Sequence, residues 1–244
     1  MRSNNSVINV HKKNDIKSAL ATQLLYGDSF KKLKQNRTWI KIKNDRDNYK
    51  GYIKNKKFLL NQKNTHKICN LSAALYTKPH NKYKIKNKLS FASKIKVLKK
   101  NRDFYKFDHL WIKKKDLKKI NAITKDPFHN MKKFINVKYK WGGKHFSGID
   151  CSGLIQLFIN YNNKFCPRDT KEQIKYFKKK TSLKNIRKND LIFWKGHVAV
   201  AISKHNLIHA YGPLKKTLVM PIKKTIDRIY RTTNLKVLGI RRLV

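Results

Sequence analysis

The sequence predicts an α+β domain preceded by two small all-β modules, and three observations carry that reading. The segment "FKKLKQNRTWIKI" (Phe30 to Ile42) recurs 65 positions later as "IKVLKKNRDFYKF" (Ile95 to Phe107). A cysteine flanked by Asp and Ser opens a stretch with apolar residues at helical spacing: Leu154, Leu157, Phe158 and Tyr161. Beyond it, "NDLIFWKGHVAVAISKHNLIHAYG" alternates as strands do. With 244 residues, 40% of them hydrophobic, the chain can bury cores for one large domain or two to three small ones.

Each repeat copy is followed by a related tail, "GYIKNKKFL" from Gly51 and "LWIKKKDL" from Leu110. The segments are short, rich in β-branched and aromatic residues, and punctuated by Asn, Asp and Gly. Modules of this size suit small barrels rather than sandwiches. Both resemble the bacterial SH3-like (SH3b) barrel. The boundaries expected are 1–64 and 65–118 for the modules and 119–244 for the α+β domain.

Within that last domain, "DPFHNMKKFINV" places Phe128, Met131 and Ile135 at helical spacing behind Pro127, which predicts a first helix. The stretch after Cys151 predicts a second helix, and the remainder an antiparallel set of strands.

The formal net charge of +47 predicts attraction to polyanions without naming one. Abundant Lys, Asn and Ile together are what an AT-rich coding sequence produces, so non-specific polyanion contact is expected and no specific nucleic acid. The three cysteines, Cys69, Cys151 and Cys166, form no CxxC pair and no disulfide framework. The first twenty residues lack an apolar signal region, and no apolar run approaches the roughly 20 residues of a membrane helix. The expectation is a cytoplasmic protein without membrane contact. The sequence does not fix an oligomeric state.

From His145 to Asn163 the chain holds no lysine or arginine, although 60 of its residues are one or the other. Cys151 lies in this run, at the start of the second helix, where unpaired backbone N–H groups and the helix dipole favour a thiolate and lower the thiol pKa. His197 and His209 follow on strand-like segments, 12 residues apart. If those strands pair around an odd-numbered loop, both imidazoles project from one face. A thiolate, a histidine and a group orienting that histidine make a thiol acyl-transfer site. Cys69 and Cys166 read as inert buried thiols. A metal site lacks ligand-pair spacing, so no metal and no cofactor are expected.

"YKWGGKHFSGIDCSGLIQ", "RDTKEQ", "NDLIFWKGHVAVAI" and "LIHAYG" resemble, in order and spacing, the NlpC/P60 peptidase family. With the paired SH3b modules ahead, the architecture further resembles the dipeptidyl-peptidase VI type. That type cleaves the γ-D-glutamyl bond of murein peptides with a free N-terminal L-Ala. The resemblance implies a papain-like α+β core without cofactor, with Cys151 as nucleophile, His197 as general base and acid, and His209 as its orienting group. Tyr139 corresponds to a hydroxyl helping to bind the oxyanion. Asp150 and Ser152 correspond to positions holding the substrate's amino group and backbone, and Thr170 to a residue facing the substrate. Asp28 and Tyr49 correspond to positions that close the pocket over the alanine. Departures from the family pattern are Lys188 and Asn189 before Asp190, Ala199 after Val198, and His145 at a loop position where many members have Ser or Thr.

The function expected is hydrolysis of murein-derived peptides in recycling. A carboxylate at Asp150 reserved for an ammonium would explain why lysine is excluded around it. The alternatives are a secreted endopeptidase acting on intact wall and a polyanion-binding SH3b protein whose peptidase domain is secondary.

Overall fold

A repeated strand order organises the first part of the chain in the computed structural model, which describes residues 1–243. Strands β1 (Val7–His11), β2 (Leu20–Leu25), β3 (Phe30–Gln35), β4 (Trp39–Asn44) and β5 (Lys50–Lys54) form a sheet in the order β2-β1-β5-β4-β3. The second sheet runs Lys84–Ser90, Ser72–Tyr76, Leu110–Lys113, Phe104–Phe107, Lys99–Lys100. Matched strand for strand, the two orders are the same, so the sequence repeat is a repeat of topology.

In β4 the alternation puts Ile40 and Ile42 into the first barrel's core with Val10, Leu24, Phe30 and Ile53. Ile68, Leu75, Leu89, Phe107 and Ile112 form the second core, and Tyr26 from the end of β2 packs into it. The turn after Tyr26 needs glycine: Gly27 has φ +80°, and a Cβ there would lie 2.0 Å from the Lys94 carbonyl oxygen.

The chain divides into two compact units. The first comprises residues 1–123, 144–146 and 161–163, and the second holds the other described residues. Both barrels therefore share one unit, and the boundary expected after residue 118 falls inside the strand Leu117–Lys119.

The second unit is built on a six-stranded sheet in the order Lys180–Thr181, Gly239–Arg241, Leu191–Trp194, His197–Ala201, Asn206–Tyr211, Lys216–Pro221. With it stand α1 (Cys151–Tyr161), α2 (Thr170–Tyr176) and α3 (Ile222–Thr233). Helix α1 is buried on almost every side rather than along one stripe: only Asn160 is more than slightly exposed. That is the pattern of a central helix, and burial of a charged chain on it would be costly.

The helix expected over 127–135 is instead a single 3₁₀ turn, Met131–Phe134. Asp126 accepts the Phe128 N–H at 2.9 Å, and Asn136 at φ +66° turns the chain away. One turn suffices to bury Phe128, Met131 and Phe134, while Ile135 stays 38% exposed. Asn189 occupies the left-handed region at φ +73°. Asn is one of the few residues besides glycine that tolerate this conformation.

Candidate active site

Local backbone requirements place Cys151. Gly142 adopts φ +73°, and a Cβ on Gly143 would lie 2.5 Å from the Gly148 carbonyl oxygen. The "WGG" turn can therefore fold back on the segment entering α1 only with glycines. Tyr139 bridges Ile149 in parallel, and the Lys140 N–H donates to Ile149 O at 3.0 Å.

Asp150, the residue before the helix, is 6% exposed and fully engaged. The N–H groups of Gly142 and Gly153 each donate to it at 2.7 Å. The Arg168 guanidinium closes on both carboxylate oxygens, at 3.0 and 2.7 Å, the bidentate geometry that makes such pairs strong. Arg168 also donates to Ser152 Oγ at 2.9 Å. Gln173 of α2 donates to the carbonyls of Ser152 at 3.0 Å and Pro167 at 2.9 Å.

The Asp150 carboxylate and the Ser152 hydroxyl, expected at substrate-holding positions, both face Arg168. The lysine-free run then follows from burial: residues 148–159 are all buried, and the cation Asp150 requires comes from outside the run. Arg168 and Gln173 went unnoticed in the sequence as positioning residues, although "RDTKEQ" contained both.

Cys151 is 4% exposed. Its thiol lies 3.9 Å from the Gly196 carbonyl oxygen, and the backbone N–H groups of Ser152 and Val198 point at the sulfur. Burial, with the Asp150 carboxylate second, pushes the thiol up to about 12 despite those donors and Arg168. The helix end alone predicts a lowered value, so desolvation outweighs it here.

His197 Nε2 stands 2.9 Å from His209 Nδ1. Both imidazoles lie on one face of the sheet, since five residues separate the pair Ala201↔Leu207 and the loop is odd-numbered as expected. Desolvation pushes His197 down to about 4. His209, 1% exposed, is pushed down further by burial and then by His197. Both rings are therefore neutral near pH 7. Tyr211 stacks on His209 at 4.7 Å and 12°, and Trp194 lies 5.6 Å from His197. Neither was singled out in the sequence, though Tyr211 shares a strand with His209 and Trp194 ends the strand paired with that of His197.

Tyr139 is half-buried, and burial, Cys151 and Asp150 all raise its phenol pKa, keeping it a proton donor. Thr170 is half-buried at the first residue of α2. Asp28 and Tyr49 belong to the first unit. There the Asp28 carboxylate pairs with Lys94 at 3.0 Å and accepts the Leu25 N–H. His145, also in that unit, is 3.1 Å from Ser6 Oγ. Among the described residues no three His, Cys, Asp or Glu side chains could hold a metal ion. No helix among them is long and apolar enough to cross a membrane.

A thiol at a helix start, backbone donors on its sulfur, and a neutral histidine tied to a second one are the groups that thiol acyl transfer uses. Residues 136–230 match the NlpC/P60 family, and residues 10–58 match the bacterial dipeptidyl-peptidase SH3 domain. The chain thus carries a segment similar to the NlpC/P60 family, preceded by one similar to the SH3 domain of bacterial dipeptidyl-peptidases. It is similar to dipeptidyl-peptidase 6 of Lysinibacillus sphaericus, 35% identical over 77 residues, covering 32% of this chain and 28% of that one. It is also similar to the murein DD-endopeptidase MepS/murein LD-carboxypeptidase of Escherichia coli K12, 35% identical over 80 residues, covering 30% of this chain and 42% of that one. Less than half the length of these curated relatives is matched. The crystal structure of an NlpC/P60 family protein from Bacillus cereus ATCC 10987 shares the fold, with a TM-score of 0.81 and 20% identity over 99% of this chain and 98% of that one.

Substitutions at His209 separate orientation from chemistry. His209→Ala is expected to lower kcat/KM, and His209→Asn to lower it less, because an Asn amide can still hydrogen-bond His197 Nε2. A His209→Ala enzyme with wild-type kcat/KM would remove the orienting role.

Proposed function

We propose that this protein is a γ-D-glutamyl dipeptidyl-peptidase, hydrolysing murein peptides that carry a free N-terminal L-Ala. The observation that supports the chemistry is a buried Cys151 thiol at the start of α1, hydrogen-bonded by the Val198 N–H from the strand that also carries His197, whose Nε2 lies 2.9 Å from His209 Nδ1. With Nε2 donating to His209, Nδ1 of His197 is left to take the thiol proton. The sulfur then attacks the D-Glu γ-carbonyl carbon. The C–N bond breaks as His197 returns its proton to the leaving amine, and water hydrolyses the thioester. The Tyr139 hydroxyl and the Cys151 N–H are the donors for the oxyanion.

The dipeptidyl specificity is supported by the SH3 domain and by the dipeptidyl-peptidase relative. It needs a carboxylate for the substrate ammonium. Asp169, half-buried between Arg168 and Thr170 at the start of α2, is the carboxylate assigned to it. A required free amine restricts the enzyme to peptides already released from the wall, which is a recycling role.

The test is L-Ala-γ-D-Glu-diaminopimelate against its N-acetylated form. Acetylation deletes a charge-assisted hydrogen bond and strands the carboxylate, an effect of about 2–5 kcal/mol, or roughly 30- to several-thousand-fold in kcat/KM. Asp169→Asn should narrow that gap. Equal cleavage of both peptides would make the protein an endopeptidase acting within intact wall peptides.

A further inference from the structure

Away from Cys151, the second unit contains a cavity of about 530 Å³, within the range of small-ligand sites. Neither Cys151, His197 nor His209 lines it. It touches α1 at Ile159, eight residues beyond the thiol, about 12 Å along the helix.

Its wall has two chemical characters. One is aromatic: Phe165 meets Tyr176 edge-on at 5.2 Å, and Tyr176 meets Phe177 edge-on at 5.2 Å. Phe165 and Tyr176 remain 40% and 43% exposed, a large apolar surface for two adjacent rings. The other is cationic. Seven Lys or Arg side chains line the cavity against one carboxylate, Asp190, and Arg242 already holds that carboxylate at 2.9 Å. Lys188 is spent on Asp126 at 2.7 Å. Lys125, Lys178, Lys179 and Arg187 have no carboxylate within ion-pair distance among the described residues.

We propose that this cavity binds a small anionic molecule with a planar ring, of the nucleotide class, its ring against Phe165 and Tyr176 and its phosphates among Lys125, Lys178, Lys179 and Arg187. Charge complementarity selects the anion, and the exposed rings select against a bare ion. Stacking on aromatic faces and phosphate contacts to Lys and Arg are the ordinary means of holding such ligands.

The experiment is calorimetric titration of the full chain with ADP, adenosine and inorganic diphosphate, at physiological salt so that diffuse attraction to a basic protein is screened. ADP is expected to bind at one site, more tightly than either fragment, and to bind equally well to Cys151→Ala. The double variant Phe165→Ala/Tyr176→Ala should weaken ADP at least tenfold, and Lys178→Glu/Lys179→Glu should do the same. Diphosphate binding as tightly as ADP, or ADP affinity unchanged by loss of both rings, would overturn the proposal. In the unsubstituted protein, ADP should shift the backbone amide resonances of residues 164–165 and 176–179. Their silence at saturating ADP would also overturn it, whatever the folding of the variants.

Discussion

Cys151→Ala and Cys151→Ser are expected to lose hydrolysis by on the order of 10⁴- to 10⁶-fold, the scale seen when the nucleophile of an acyl-transfer enzyme is removed. Serine does not rescue, because an imidazole pushed down to about 4 is a weak base for a hydroxyl. The fold should survive, since the Cys151 sulfur meets only backbone groups, of Gly196, Ser152 and Val198, and its removal strands no charge. The resting state of the pair is also testable. With the thiol near 12 and His197 near 4, both are neutral between those values. Iodoacetamide should therefore label Cys151 more slowly at pH 7 than a free thiol, with a rate that climbs with pH as the thiolate fraction grows roughly tenfold per unit. Rapid, pH-independent labelling across pH 6–9 would mean that a thiolate–imidazolium pair is already formed in the free enzyme. Cys69→Ser and Cys166→Ser should retain turnover, and full activity in Cys151→Ala would remove the thiol mechanism.

Features with a period or a repeat were legible in the sequence. The 65-residue recurrence foretold two sheets of one strand order, and the Leu154, Leu157, Phe158, Tyr161 stripe foretold α1. The even spacing of His197 and His209 foretold a shared face, because strand alternation has a period of two. Features set by long-range burial were not legible. The apolar positions of 128–135 suit either a helix or one turn, and the choice rests on Asn136 and on what Phe128 and Phe134 pack against. The direction of the Cys151 shift depends on how deeply the thiol is enclosed, which a helix-start position does not state. The partner of Asp150 lies 18 residues away. Spacing cannot show that Arg168 turns inward in a chain with 60 Lys and Arg residues. With that partner unseen, an open carboxylate looked like the natural reason for a lysine-free run.

Arg168→Met should then be among the most destabilising single changes in the chain. Arg168 and Asp150 are 3% and 6% exposed. Removing the guanidinium leaves a buried carboxylate with only two backbone N–H donors and the Ser152 hydroxyl. Breaking a buried pair in this way costs about 3–5 kcal/mol, or roughly 6–20 °C in Tm for a chain of this size. Asp150→Asn combined with Arg168→Met should recover part of that loss, since no uncompensated charge remains; a double variant as unstable as the sum of the singles would show that the pair is not the origin of the effect. The thiol gives a readout that packing alone would not move. Asp150 raises the Cys151 pKa and Arg168 lowers it, so Asp150→Asn should shift the alkylation profile to lower pH and Arg168→Met should shift it to higher pH. Shifts of the same sign in both variants would leave only structural disruption. Opposite shifts would show that the charges positioning the helix start also set how readily His197 can take the thiol proton.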